Sequence, residues 1–399
     1  MRILLVHNFY GSSAPSGENQ VFQAEKVLLE SHGHEVIVFS RHSDEIRSQG
    51  FWGQIKGGMA TPWNPWMANA VRQTVVRHKP AVVHVHNSFP LISPSIFHAI
   101  GPLAARVLTL HNYRLFCPAG IPMREGRVCT ECLDSQSTWP AVKHACYRHS
   151  RVATLPLALK VTLHRTLDTW SRKVEGFVAL SQFQRDRMVA AGLPRDKVHV
   201  KPNFYPGYPI VPPWKTRVPY VVFVGRLTSE KGVESLLRAW SLWGEFAPEL
   251  KIVGDGPLRT LLEQQATGLP VRFLGQLPEA EAQAQIAKAH LLILPSECFE
   301  GFPMVVSEAF AFGTPVAVSN SGPLPSIVEA GKNGLVFEAA NPENLLEVVC
   351  GAWNTSKKLE RLGQGARAEF MEKYTDEANY LTLMQIYRAA IERLKLFGT

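Results

Sequence analysis

Apolar and polar positions run through this chain in two alternating rhythms. Arg2 to Phe9 is a short apolar run rich in branched residues, the pattern of a buried strand. From Asn19 to Ser31, Val21, Phe22, Val27, Leu28 and Leu29 recur at helical spacing. Gly33 closes that segment, and Glu35 to Ser40 predicts a second strand. A strand, a helix and a strand in this order favour a parallel, doubly wound sheet. The rhythm continues with strands at Ala81 to Val85, Arg106 to Leu110, Gly176 to Leu180 and Val198 to Lys201. Helices are predicted at Pro94 to Ile100 and at Gln182 to Ala191, the latter closed by Gly192. Two stretches interrupt it. Arg47 to Gln73 carries Trp52, Trp63 and Trp66, and Cys117 to Trp170 carries four cysteines and many basic residues.

Between Phe204 and Pro219 stand Pro206, Pro209, Pro212, Pro213 and Pro219, a density that predicts a stiff linker. Beyond it the alternation restarts. Strands are predicted at Tyr220 to Gly225, Leu250 to Val253, Val271 to Leu274, Leu291 to Leu294 and Pro315 to Val318. Gly232 to Trp243 predicts a helix, and Glu377 to Leu396 a long C-terminal one. The expected fold class is α/β with two Rossmann-like units, residues 1–205 and 206–377.

Length agrees, since 399 residues suit two domains or three. A content of 46% hydrophobic and 19% charged residues argues against disorder. No apolar run reaches the roughly 18 residues of a membrane span, the best candidates being broken by Lys160 and Glu308. Met1 to Val6 is too short for a signal-peptide core and reads as a strand, so the expected location is the cytoplasm. Net charge is +8, which favours an anionic partner. Residues 1–205 hold 24 Lys and Arg against 13 Asp and Glu, whereas residues 206–399 hold 18 against 21. The basic excess therefore belongs to the first unit. No nucleic-acid recognition motif accompanies it.

The candidate chemistry lies mostly in the second unit. Gly225-Arg226 ends a strand and Lys231 follows in the next turn, two cations where a doubly wound sheet binds ligands and where a diphosphate would sit. Glu300-Gly301-Phe302-Pro303-Met304-Val305 leads to Glu308. Pro303 suits a helix start, so the amides of Gly301, Phe302 and Met304 would be open to an anion. Two carboxylates beside an anion site suit sugar hydroxyls. The alternative is a capping Glu300 and an exposed Glu308, although Glu308 stands among Val305, Val306, Ala309 and Phe310.

These motifs resemble the retaining glycosyltransferases of family 4, with the GT-B fold of two facing Rossmann-like domains and a cleft between them. The resemblance extends to Gly17-Glu18, His86-Asn87, His111-Asn112, Ser181, Pro202-Asn203, Gly254-Asp255-Gly256-Pro257 and Gly313-Thr314-Pro315. It implies a C-terminal helix, about 378–399, returning to the first domain. It implies that Arg226 and Lys231 hold the donor diphosphate, that Glu300 bonds the donor sugar and that Glu308 bonds the ribose. Gly225, Asp255, Gly256 and Leu274 would lie by the nucleotide, with Gly301, Phe302, Pro303, Met304 and Val305 completing the phosphate site. Gly17 would approach the phosphate and acceptor, but Ser16 stands where the family usually has a second glycine. His111 matches the position that touches the donor sugar, and His86 and Asn87 lie on the acceptor side. No catalytic metal or other cofactor is implied, since Arg226 and Lys231 do that work. The donor would be a UDP- or GDP-linked sugar.

The rest is more open. His84 and His86 share one strand face, yet no third ligand is apparent, and His84 reads as structural. Cys117, Cys129, Cys132 and Cys146 fit either a structural zinc site or four reduced thiols. Arg151 to Lys173 mixes leucines with cations, as a helix on an anionic membrane does or as a core helix with a charged outer face does. Trp52, Trp63 and Trp66 suit an acceptor groove, a membrane interface or simple packing. The expected acceptor is a lipid-linked or saccharide intermediate of surface polysaccharide, lipopolysaccharide or glycolipid, met at the inner face of the cytoplasmic membrane. The alternatives are a GT-B sugar-nucleotide epimerase and a non-catalytic nucleotide-sugar binder. All four of Arg226, Lys231, Glu300 and Glu308 are present, which counts against the second.

Overall fold

The computed structural model describes residues 1–11, 16–48 and 50–397. The chain divides into two compact units. Unit 1 comprises Met1–Pro122, Cys129–Pro202 and Asn379–Thr399, and unit 2 comprises Met123–Val128 and Asn203–Ala378.

Unit 1 is built on β1 (Arg2–Phe9), β2 (Glu35–His42), β3 (Val82–Asn87) and β4 (Ala105–Leu110). A short hairpin follows, β5 (Met123–Arg124) with β6 (Arg127–Val128), and then β7 (Gly176–Ala179) and β8 (Val198–Val200). The sheet order is β2-β1-β3-β4-β7-β8, and every neighbouring pair is parallel. β3 and β4 are buried along their whole length, as strands covered on both faces must be. The helix Gly17–Ser31 lays Val21, Phe22, Leu28 and Leu29 onto one face. From Asn379 onward the helix Asp376–Phe397 belongs to unit 1, and Leu383, Ile386, Tyr387 and Ala390 enter the core with Ile3, Leu5, Val82 and Val107.

Unit 2 repeats the plan with β9 (Val218–Val224), β10 (Glu249–Val253), β11 (Val271–Gly275), β12 (Ala289–Leu294), β13 (Val316–Ser319) and β14 (Gly334–Phe337). Their order is β11-β10-β9-β12-β13-β14, again parallel. The first strand of this unit, β9, lies between β10 and β12, so the strand order reverses there. That reversal opens a crevice beyond the C-terminal ends of β9 and β12, the position at which such sheets bind ligands.

The proline-rich stretch is shorter as a linker than its composition predicts. Trp214–Thr216 forms a 3₁₀ turn, and Pro219 is already the second residue of β9. Proline is tolerated there because pairing to β10 begins only at Tyr220 and the register to β12 shifts between Ala289 and Leu291. The two interrupting stretches are largely helical, with Gly50–Ala60, Pro65–His78 and Arg151–Thr166. In the last of these the faces are mixed, with Leu157, Ala158 and Val161 buried beside two basic residues. Lys160 and His164 are buried, while Val152 is 81% exposed and Leu155 and Leu159 also face outward. Among the described residues no helix is long and apolar enough to cross a membrane.

Candidate active site

The crevice of unit 2 is closed by loops that bond to one another. Gly225 N donates to Val253 O, and Leu227 N donates to Asp255 O, lacing the turn after β9 to the turn after β10. Gly254 has φ +135°, and a Cβ there would stand 1.9 Å from Gly225 O, so only glycine lets these backbones meet. On the other side Glu297 N donates to Glu230 O at 2.9 Å. Gly232, at φ +67°, passes so close to Pro295 O that a Cβ would lie 2.0 Å from it. Three loops from β9, β10 and β12 thus form one rigid rim.

On that rim Lys231 Nζ donates to Glu300 Oε1 at 2.6 Å, and Ser296 Oγ donates to the same oxygen at 2.6 Å. Burial would push the Glu300 carboxyl up, but Lys231, Ser296 and Arg226 together hold it below the usual carboxylate range. Lys231 is shifted the other way: burial opposes its charge, and Glu300 restores it. Arg226 is more open, and its guanidinium reaches Glu230 only at 3.8 Å. The structure therefore gathers Gly225, Arg226, Lys231, Glu300, Asp255 and Gly256 at the crevice. Asp255 is itself paired with Arg259 at 3.0 Å and accepts from Gly256 N. Leu274 lies half-buried near the end of β11.

The helix Met304–Ala311 begins one residue later than the sequence pattern suggests, with Pro303 at its N-cap and no side chain capping it. Its first-turn amides at Met304 and Val305 therefore face forward with a partial positive charge. Gly301 and the buried Phe302 precede it, and Asn203 Nδ2 anchors Phe302 O at 3.1 Å. Glu308 sits on the second turn, where burial and the neighbouring Glu279 push its carboxyl up to about 7, with Gln283 opposing. A carboxyl so placed donates or accepts a hydrogen bond near neutrality.

In unit 1, Gly17 is the first residue of its helix, after Ser16 at the N-cap, and residues 12–15 of the preceding loop lie outside the described residues. His111 follows β4, and its Nε2 lies 3.1 Å from His86 Nδ1. Burial, then His86, keeps the His111 ring neutral, well below its usual pKa. Asn87 is spent on backbone: its Nδ2 donates to Asn8 O and its Oδ1 accepts from Phe89 N.

Beneath these histidines lies a buried network that the motifs did not reveal. Glu25 lies 3.0 Å from His84 Nδ1, 3.3 Å from His86 Nε2 and 3.0 Å from Lys201 Nζ. His84 also meets Tyr387 Oη at 2.8 Å and Thr109 Oγ1 at 2.7 Å. Glu25, His84 and His86 place ligand atoms within 4.8 Å of one another. Lys201 already supplies the compensating positive charge, and the network reads as a braced ion pair. A signal was available, because Glu25 falls on the apolar stripe of its helix between Phe22 and Leu28.

Of the four cysteines, Cys117 and Cys132 are buried and Cys129 and Cys146 half-buried. Burial raises Cys132 to about 12, and the nearness of Cys117, Cys146 and Cys129 adds to it. Among the described residues these sulfurs do not close into a ligand set, so the zinc expectation gains no geometric support. Trp63 stacks on His164, Trp66 is largely exposed, and Trp52 falls outside the described side chains.

Two doubly wound parallel units with a C-terminal helix joined to the first are the architecture of the GT-B fold. Residues 20–206 match the model of Glycosyltransferase Family 4, and residues 209–369 that of Glycosyl transferases group 1. The chain belongs to this family of glycosyltransferases. It is 34% identical over 183 residues to a glycogen synthase of Thermus thermophilus, covering 44% of this chain and 40% of that one. It is 33% identical over 161 residues to a sulfoquinovosyl transferase of Arabidopsis thaliana, covering 39% of this chain and 30% of that one. The alignments thus span less than half of these relatives. The fold is similar to that of HepE from Anabaena in complex with UDP, with TM-score 0.63, 18% identity and coverage of 97% of this chain and 100% of the other. It is also similar to a sucrose-phosphate synthase from Thermosynechococcus elongatus, with TM-score 0.67, 17% identity and coverage of 97% and 98%.

Proposed function

We propose that this glycosyltransferase moves a sugar from a nucleotide-diphosphate donor to an acceptor hydroxyl with retention of configuration. The observation that carries the reading is the crevice of unit 2, where Arg226, Lys231, Glu300 and an uncapped helix start meet. Cleavage of a sugar–phosphate bond leaves negative charge on the diphosphate and positive charge on the ring. Arg226, Lys231 and the amides of Met304 and Val305 stabilise the first, and preorganised donors of this kind lower a barrier without reorganising. Glu300 holds donor sugar hydroxyls and Glu308 the ribose. Glu300 Oε1 is engaged by Lys231 and Ser296, which favours front-face attack assisted by the donor phosphate over a double displacement.

UDP, bound in the HepE structure, is the first donor nucleotide to test, with GDP the second. The acceptor is read as a saccharide or lipid-linked intermediate of surface-polysaccharide or glycolipid assembly, met at an anionic membrane on its cytoplasmic side. The basic excess of residues 1–205 and the outward Val152, Leu155 and Leu159 support that contact. A thermal-shift screen of nucleotide sugars, followed by hydrolysis assays on wild type and Arg226→Ala, tests the donor reading. Stabilisation by a nucleotide sugar and turnover lost in the variant are expected. Turnover equal in both would sink the assignment.

A further inference from the structure

A second cluster of cations lies in unit 1. Between Ile46 and Leu167 the chain carries 14 Lys and Arg and only three acids, Glu125, Glu131 and Asp134. Most of these cations are on the surface, but Lys160 is 5% exposed. It forms no ion pair and donates no hydrogen bond among the described residues. Its ammonium stands over the Phe89 ring, 5.6 Å from the centroid. Arg114 stands over the same ring, with Cζ 4.5 Å from the centroid, and lies 5.9 Å from the Tyr147 ring. Arg114 Nη1 donates to Pro118 O at 3.1 Å, whereas its buried Nε has no acceptor. No carboxylate is ion-paired with it among the described residues.

Both groups sit where unit 1 should bind ligands. Phe89 follows β3 and Arg114 follows β4, at the C-terminal edge of the sheet beside the reversal at β1 and β3. Tyr147 and Lys160, from the helical insertion, supply the other wall. Two cations over one aromatic ring, neither ion-paired among the described residues, repel each other and lose hydration. Burial, then Arg114, accordingly pulls the Lys160 ammonium down to about 7. Glu18 lies near enough to attract Arg114 but forms no ion pair with it among the described residues. Burial raises its own pKa, and its Oε1 is bound to Asn112.

We propose that Arg114 and Lys160, walled by Phe89 and Tyr147, form an anion pocket that takes a phosphate ester carried by the acceptor. The word acceptor rests on the transferase reading; the pocket does not. A phosphate monoester has the two charges and several outward oxygens needed to meet Lys160 Nζ and Arg114 Nε together, which one carboxylate oxygen pair fits less well.

Phenyl phosphate and glucuronate, titrated into the full chain by calorimetry, test this without a donor. Wild type and Arg226→Ala should bind phenyl phosphate alike, Lys160→Arg should retain most of the binding, and Lys160→Met should lose at least about tenfold. Lys160→Met should also melt higher than wild type, because a buried unpaired cation has been removed, which shows at once that the variant folds. Binding unchanged in Lys160→Met, binding lost only in Arg226→Ala, or tighter binding of glucuronate would overturn the proposal. Turnover is not the readout, so a failed transfer assay leaves the pocket standing, and a failed titration leaves the donor reading intact.

Discussion

Lys231 Nζ and Glu300 Oε1 lie 2.6 Å apart, so the cation expected at the diphosphate and the carboxylate expected at the sugar hold one another. The pair is largely but not wholly shielded, with side-chain exposures of 18% and 13%. Each partner therefore sets the other's position as well as its charge. Glu300→Ala should lower transfer by about 10²-fold, the scale seen when one preorganised group is removed, while nucleotide affinity changes by less than about threefold. Kinetics alongside calorimetry with the free nucleotide diphosphate checks this. Equal loss in both would mean that Glu300 serves only to position Lys231.

The buried pair of Glu25 and Lys201 makes a separate prediction, about stability. Burial opposes the charge on Glu25, yet Lys201, His86 and His84 hold it well below the usual carboxylate range. A depressed carboxylate contributes stability above its unfolded pKa and loses it as pH falls through the folded one. Unfolding free energy should thus drop below about pH 4.5. Lys201→Met should cost about 3–5 kcal/mol at pH 7, because it strands a buried carboxylate. Glu25→Gln combined with Lys201→Met should cost less than the sum of the two, as coupled sites do. Urea denaturation of the four proteins measures this, and strict additivity would refute the coupling.

The fold was legible because its determinants are local. Branched apolar runs and helical stripes mark β1, β3, β4, β9 and β12 without any knowledge of their partners. The gathering of Gly225, Arg226, Lys231 and Glu300 at the crevice of unit 2 is legible because they fall beside strand ends in the chain. What escaped notice depends on residues far apart in sequence. Glu25 and Lys201 are 176 positions apart and meet only in the folded sheet. Lys160 is hidden for a different reason: it is buried with Leu157 and Val161 while Leu155 and Leu159 face outward, so periodicity alone does not place it. Pro219 reads as linker because a proline can stand near the start of a strand where pairing is incomplete: β10 pairs only from Tyr220, and the register to β12 shifts between Ala289 and Leu291.

Gly254 supports a prediction that isolates backbone from side-chain chemistry. A methyl group there would meet Gly225 O at 1.9 Å, in a backbone conformation that alanine rarely adopts. Gly254→Ala should force the turns after β9 and β10 apart, weakening donor binding by about tenfold or more and destabilising unit 2 by about 1–3 kcal/mol. Gly268→Ala is the comparison, since its φ is also positive at +82° but nothing lies within 4 Å of its Cβ. It should lose stability modestly and keep donor affinity. If the two variants bind nucleotide equally, the close approach at Gly254 does not shape the site.

Glu308 supplies a pH dependence of the opposite sign to that of Glu25. Burial, then Glu279, raises its carboxyl to about 7. A folded pKa above the unfolded value means that the native state binds the extra proton. Stability contributed by the protonated form is therefore present below about pH 4.5 and is lost as pH rises toward 7. Glu308→Gln keeps the shape and removes the charge. It should unfold at nearly the wild-type midpoint at pH 5 and be the more stable protein at pH 8, by at most about 3 kcal/mol and by less where solvent screens the group. The same variant should bind nucleotide with less pH dependence between 6 and 8, because a neutral amide replaces a carboxyl that changes charge there. Calorimetric melts and nucleotide titrations at both pH values check this, and a wild-type advantage at pH 8 would show that Glu308 is held charged by a partner.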